Sequence, residues 1–308
     1  VTASLNGSRS GVPANTVATP VSTIDAQTQL VGLIGWPITH SLSPLMHNTA
    51  FAHLGLNWRY VPLPVREADI STALRGLAAL GFRGVNVTIP HKTSVIPYLN
   101  SITDAAQTVG AVNTIRVNRS NGQLEGLNTD MSGFLTDLAV NSVNVSNGTH
   151  VVILGAGGAA RACAAGLVRS GAHVTLVNRT FERSLEVVEF VRKGWPKSMI
   201  TAVGMEWLHD VLTDCKLIVN TTSVGLWPET KATPWPVGLP FPANVTLYDT
   251  IYRPLQTQLM RDAAQSGARV IGGIGMLVYQ GAAAFEAWTG KPAPIAVMRQ
   301  VAEAALSG

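Results

Sequence analysis

The chain has 308 residues, 46% of them hydrophobic and 13% charged, with a formal net charge of +4. That length suits two domains, each with its own core; the basic residues form no run, which argues against a nucleic-acid stripe and for anionic small molecules. No apolar run approaches the length of a membrane span, so no membrane partner is expected.

In chain order, residues 1–28 are rich in Ser, Thr, Gly, Ala and Pro and contain no apolar core of signal-peptide length. They read as a flexible tail on a cytoplasmic protein. Arg9 and the acid-poor composition, interrupted only by Asp25, leave organellar import as the alternative. From residue 30, short apolar runs alternate with helix-period segments, the pattern of an α/β architecture with mostly parallel sheets. Strands are expected at 30–34, 58–63, 84–88, 114–117 and 123–127, with helices at 44–54, 67–80 and 90–99. The turn at 118–122, made of Asn, Arg, Ser and Gly, joins the last two strands as a hairpin.

The polar segment NSVNVSNGTH (141–150) separates a second set. It reads strand 151–154, helix 158–170, strand 173–178 and helix 181–193, then strands 217–220, 246–249 and 269–271. The Pro- and Trp-rich stretch 227–242 is expected to be a long loop, and 276–289 and 294–306 are helical by composition. Cys163 and Cys215 lie far apart without metal-ligand spacing; two buried thiols in a reducing compartment are expected, a long-range disulfide being the alternative.

VVILGAGGAARA (151–162) sets Gly155, Gly157 and Ala160 in a G-x-G-x-x-A arrangement between strand and helix. The first glycine permits a tight turn and the second lets backbone approach a pyrophosphate at the helix N-terminus. The small third position allows close packing. An NAD site usually offers Asp or Glu at the end of the next strand. This chain offers Asn178-Arg179-Thr180 and then Arg183, cations and a hydroxyl suited to a 2′-phosphate, so the cofactor is read as NADP(H).

In the first half, NVTIPHK (86–92) alternates Asn86 and Thr88 with Val87 and Ile89, as a strand end does. Pro90 suits a first helical position, which puts Lys92 in a first turn where the helix dipole disfavours a cation. No histidine has metal-site spacing with an acid, so no metal is expected.

GWPITHSLSP (35–44), NVTIPHK, GAVNT (110–114) and GLNTD (126–130) together resemble the shikimate dehydrogenase family. The nucleotide loop, NRTFER (178–183), NTTS (220–223) and GIGMLVYQ (273–280) continue the resemblance in family order over roughly residues 30–305. It implies a two-domain α/β fold with a cleft between the domains. A mixed, parallel-rich substrate-binding catalytic domain spans 29–136 and 276–308, and a Rossmann-type NADP-binding domain spans 137–275. The implied reaction is reversible NADPH-dependent reduction of 3-dehydroshikimate to shikimate, a step toward aromatic amino acids, by a monomer or homodimer.

By that resemblance, Ser41 and Ser43 hold the substrate carboxylate, with Tyr252 nearby. Helix capping before Pro44 is the competing role, and it needs only one of the two serines. Asn86, Thr88, Asn113 and Gln280 bind ring hydroxyls, and Lys92 and Asp130 form the catalytic pair. The cofactor is contacted by Gly155, Ala156, Gly157, Gly158, Ala159, Asn178, Arg179, Thr180, Arg183, Thr221, Ser223, Gly273 and Met276. Arg253, in TIYRP (250–254), is a departure: it either brings a further charge toward the carboxylate or points to solvent.

Rival readings are a quinate/shikimate or aminoshikimate variant, and a shikimate-sensing protein that has lost its chemistry. The second predicts decay at Lys92 or Asp130, and both are intact. The chain opens on Val1, not Met, which leaves excision from a larger multi-enzyme polypeptide open.

Overall fold

The computed structural model describes residues 24–307, so the expected tail lies outside the described residues over 1–23. Its end is pinned: Asn57 Nδ2 donates to Asp25 Oδ1, and Thr28 Oγ1 donates to Asn57 Oδ1, each at 2.8 Å.

The first half runs β1 (Gln29–Gly35), α1 (Ser43–His53), β2 (Trp58–Pro64), α2 (Ile70–Ala79), β3 (Gly84–Val87), β4 (Ser101–Ile102), α3 (Asp104–Val109), β5 (Thr114–Val117), β6 (Leu124–Leu127) and α4 (Asp130–Val140). The sheet order is β2-β1-β3-β5-β6-β4. β1 is parallel to β2 and β3, while β5 is antiparallel to β3 and β6, so the expected hairpin forms. Alternation sorts the side chains to two faces. Val31, Leu33 and Tyr60 pack with Met46, Phe51, Phe285 and Trp288. Ile34, Val85 and Val87 pack on the other face with Ile70, Leu74 and Leu77 of α2.

The second half runs β7 (His150–Leu154), α5 (Gly158–Arg169), β8 (His173–Asn178), α6 (Phe181–Gly194), β9 (Ile200–Gly204), α7 (Leu208–Val211), β10 (Leu217–Asn220), β11 (Thr246–Asp249), α8 (Gln258–Gln265), β12 (Arg269–Gly272), α9 (Ile274–Thr289) and α10 (Ile295–Ser307). All six strands are parallel, in the order β9-β8-β7-β10-β11-β12. That is the doubly wound dinucleotide-binding order, with its switch point between β7 and β10. β7 is apolar on both faces because helices cover both: Val151 and Ile153 join one core, Val152 and Leu154 the other.

Two helices tie the halves together. α4 packs against α9 and α5. α9 contributes Met276 to the core of the second sheet and Val278 and Phe285 to that of the first.

One expected element is absent. Residues 90–99 form turns and a short 3-10 stretch (Ile96–Tyr98), not the helix expected from sequence. The Lys92 carbonyl accepts from the Val112 N–H at 2.7 Å, and the Ile96 N–H turns back to Thr93 O. A tertiary hydrogen bond thus takes the acceptor that a helix needs at that point. Elements not anticipated include α3, which carries both end signals: the Thr103 hydroxyl accepts from Ala106 N–H, and Gly110 closes it at φ +67°.

The loop at 227–242 holds no helix or strand. Within it Trp235 packs on Phe241 with ring centroids 4.4 Å apart, and its Nε1 donates to Leu239 O. Cys163 and Cys215 are buried and unpaired. Burial pushes both thiols up, Cys215 to about 11.

Candidate active site

Gly35 at the end of β1 lies against Thr88 just after β3, and Lys92, four residues further on, lies against Gly158 after β7; open α/β sheets bind ligands outside such strand ends. Lys92 follows β3 in the turn just described. Its Nζ lies 2.6 Å from Asp130 Oδ2, and the two side chains are 17% and 5% exposed. Asp130 opens α4 and is aimed by Asn113, whose Nδ2 donates to Asp130 Oδ1 at 2.8 Å. The same Nδ2 donates to Thr129 Oγ1 at 2.9 Å and approaches Gln280 Oε1 at 3.3 Å. Asn113 Oδ1 in turn accepts from the Thr129 N–H. The electrostatics at Nζ are therefore set by a nearly buried carboxylate, not by a helix end as the sequence suggested.

The Lys92 stem also touches the other domain. A Cβ built on Gly158 would come within 3.0 Å of Lys92 Cδ. The small residue that opens α5 thus lets the ammonium stem lie against the nucleotide loop. Asp130 holds the ammonium at the end of that stem.

Around this pair the structure brings together most of the expected substrate residues. Asn86 is buried on β3, accepting from the Tyr60 hydroxyl at 2.8 Å and donating to Thr114 Oγ1 at 3.0 Å. Thr88 follows β3, its N–H donating to Ile34 O. Neither Ser41 nor Ser43 caps α1 with its side chain. The Ser41 oxygen accepts from the Ser43 N–H at 3.2 Å, a local turn bond at the start of α1. The buried Ser43 hydroxyl adjoins the Tyr60 hydroxyl. Tyr252 packs with Leu42 and Leu277, which places it beside the serine loop. Gln280 donates from Nε2 to Leu277 O on α9.

Tyr60, Thr114 and Thr129 were missed by sequence reasoning. Thr114 and Thr129 sit inside the GAVNT and GLNTD motifs and were legible there. Tyr60 lies on β2, separated from Asn86 by β1, and no local pattern marks it.

The second half supplies a dinucleotide cradle. Gly155 has φ +106°, and a Cβ there would meet Thr221 Oγ1 at 2.7 Å, so the turn requires glycine. Thr221 donates that hydroxyl to Leu154 O, joining β7 to β10 at the switch point. A Cβ at Gly157 would meet open space instead, leaving room for a ligand beside the Gly158–Ala159 N–H groups of the first turn of α5. At the end of β8, Asn178 Nδ2 donates to Thr180 O. That turn leaves Arg179 and Arg183 exposed, with no acid at the strand end. This chemistry fits a dinucleotide carrying an extra phosphate. Ser223 is exposed and Gly273 precedes α9, while Met276 is buried in the core of the second sheet.

Arg253 is half-buried. Its guanidinium lies 5.2 Å from the Trp227 ring centroid. The Trp227 ring meets His40 edge-on at 4.3 Å, so a residue of the proline-rich loop touches the loop that carries the serines.

Family models match in three segments: a shikimate dehydrogenase substrate binding domain over residues 33–115, a shikimate/quinate 5-dehydrogenase over 137–226, and a shikimate 5′-dehydrogenase C-terminal domain over 273–303. The chain is 46% identical over 285 residues to the shikimate dehydrogenase (NADP(+)) of Moorella thermoacetica, covering 92% of this chain and 95% of that one. It superposes on a crystal structure of a shikimate dehydrogenase in complex with NADP+ at a TM-score of 0.87, with 37% identity, 93% of this chain and 99% of that one covered. The shikimate 5-dehydrogenase of Thermus thermophilus, solved with NADP(H) and shikimate, matches at a TM-score of 0.79 with 36% identity, 91% of this chain and all of that one covered.

Proposed function

The chain belongs to the shikimate dehydrogenase family, and we propose how its residues divide the work of the reaction it catalyses, the reversible NADPH-dependent reduction of 3-dehydroshikimate to shikimate. The observation that carries this reading is Lys92, whose Nζ lies 2.6 Å from Asp130 while its stem rests on the nucleotide loop at Gly158. One ammonium thereby stands where substrate and cofactor must meet.

Bound NADPH supplies the hydride for the ring carbonyl. As negative charge develops on that oxygen, Lys92 Nζ stabilises it and donates the proton; in the reverse direction the free amine accepts it. Asp130, locked by Asn113, restricts where Nζ can go, and an ammonium held in place needs no reorganisation during the reaction. Ser41 and Ser43 hold the carboxylate with Tyr252 alongside, while Asn86, Thr88, Asn113 and Gln280 face the ring hydroxyls. Gly155, Ala156, Gly157, Gly158 and Ala159 take the pyrophosphate. Asn178, Arg179, Thr180 and Arg183 take the 2′-phosphate, and Thr221, Ser223, Gly273 and Met276 complete the nicotinamide side. We draw the domain boundaries at 29–136 with 276–308, and at 137–275. We further place the enzyme in the cytoplasm, as a monomer or homodimer.

The test is a steady-state assay with four combinations: shikimate or quinate, each with NADP or NAD. Shikimate with NADP gives the highest kcat/KM. Dominance of quinate with NAD would shift the reading to a quinate dehydrogenase, and binding of shikimate without any absorbance change would make the chain a sensor.

A further inference from the structure

We propose that Tyr60 is a positioning residue for substrate recognition, its buried hydroxyl holding the Asn86 amide in the one orientation that serves the ring. The inference rests on Asn86 being a substrate ligand, as read above.

Tyr60 is 2% exposed and projects from β2 across β1 to β3. Its hydroxyl lies 2.8 Å from Asn86 Oδ1. The other side of that amide is committed as well, since Asn86 Nδ2 donates to the Asn113 carbonyl at 3.2 Å and to Thr114 Oγ1 at 3.0 Å. The Asn113 carbonyl can only accept, so Nδ2 must face it and Oδ1 must face Tyr60, which donates. A primary amide has two donor and two acceptor positions. Three are filled by the protein, and what remains for a substrate hydroxyl is one lone pair of Oδ1.

The phenol ring is itself fixed. His47 stacks on it with centroids 4.5 Å apart and planes 3° from parallel, and Trp288 packs at 6.1 Å. His47 is wholly buried, and burial pushes its pKa down to about 3, so the stack brings no cation beside the phenol. Burial raises the Tyr60 hydroxyl well above its ordinary range, which keeps it protonated and able to donate. Ser43, at the carboxylate end, adjoins the same oxygen. One buried hydroxyl therefore lies between a residue assigned to the carboxylate and a residue assigned to the ring.

The test is Tyr60→Phe, which keeps the ring and its stack on His47 and removes only the oxygen, compared with Asn86→Ala and the double variant. The expected result for Tyr60→Phe is a rise in shikimate KM of about 5- to 30-fold, the size of one buried hydrogen bond, with kcat within about twofold and NADP KM unchanged. In the Asn86→Ala background the same change then adds little, because the two residues act as one unit. A lowered melting temperature without any change in shikimate KM would make Tyr60 a purely structural residue and overturn the inference. So would a Tyr60→Phe effect undiminished in the Asn86→Ala background. If Asn86→Ala itself leaves KM unchanged, the assignment of Asn86 as a ligand fails first, and the two failures are told apart by that single variant.

Discussion

Lys92 follows β3 with its ammonium against Asp130, and its backbone surroundings differ from those the sequence suggests. NVTIPHK reads as a strand followed by a helix start, where a lysine looks electrostatically misplaced. No helix forms there; the chain turns because Val112 claims the Lys92 carbonyl, and the ammonium is governed by Asp130 at 2.6 Å. The side chain is oriented by a carboxylate that Asn113 holds from its other oxygen. Lys92→Ala is expected to lower kcat by about 10²- to 10⁴-fold, the usual weight of a positioned proton donor, with shikimate KM changed only a few-fold. A large rise in KM at unchanged kcat, measured in the same assay, would make Lys92 a binding residue instead.

Among the elements, the two sheets differ in strand direction. The first is mixed because the β5–β6 hairpin inserts an antiparallel strand beside β3, and this brings Asn113 and Thr114, at the start of β5, next to Asn86. The second is all parallel, and in the function proposed above its βα turn at Gly155 takes the diphosphate and the end of β8 the 2′-phosphate. Arg179→Ala is therefore expected to weaken NADP by about 10- to 100-fold, as the loss of one charge-assisted contact does, while leaving NAD nearly unchanged. Fluorescence titration with both cofactors measures this, and an equal loss for both would remove the 2′-phosphate assignment. α4 and α9 are the elements common to both halves. The Asp137 carboxylate of α4 accepts from the Tyr248 hydroxyl of β11 at 2.6 Å, and burial raises its pKa.

Across the molecule as a whole, Arg253, Trp227 and His40 form a chain of contacts from the second half to the serine loop of the first. Trp227 is exposed and touches a loop of the other half through one ring, a contact that domain movement can make or break. The radius of gyration from solution scattering is expected to fall when shikimate and NADP are both added. Trp227→Ala is expected to raise shikimate KM by about 2- to 10-fold, the range of an aromatic contact. Superimposable scattering profiles with and without ligands would argue against closure.

Much of what depends on local order along the chain was legible in the amino-acid sequence. The alternation of apolar runs and helical segments, the glycine loop after β7, the arginines after β8 and the motif residues are all contiguous signals. Short helices such as α3 had legible caps, Thr103 and Gly110, but too few turns for periodicity to register. Which distant residues became neighbours was settled by folding in three dimensions. Asp130 reached Lys92, Tyr60 reached Asn86 across an intervening strand, and Trp227 reached His40 from a loop of the other half. The same cause unmade the helix at 90–99: a backbone carbonyl is satisfied by whichever donor folding brings to it, and here that donor lay far along the chain at Val112.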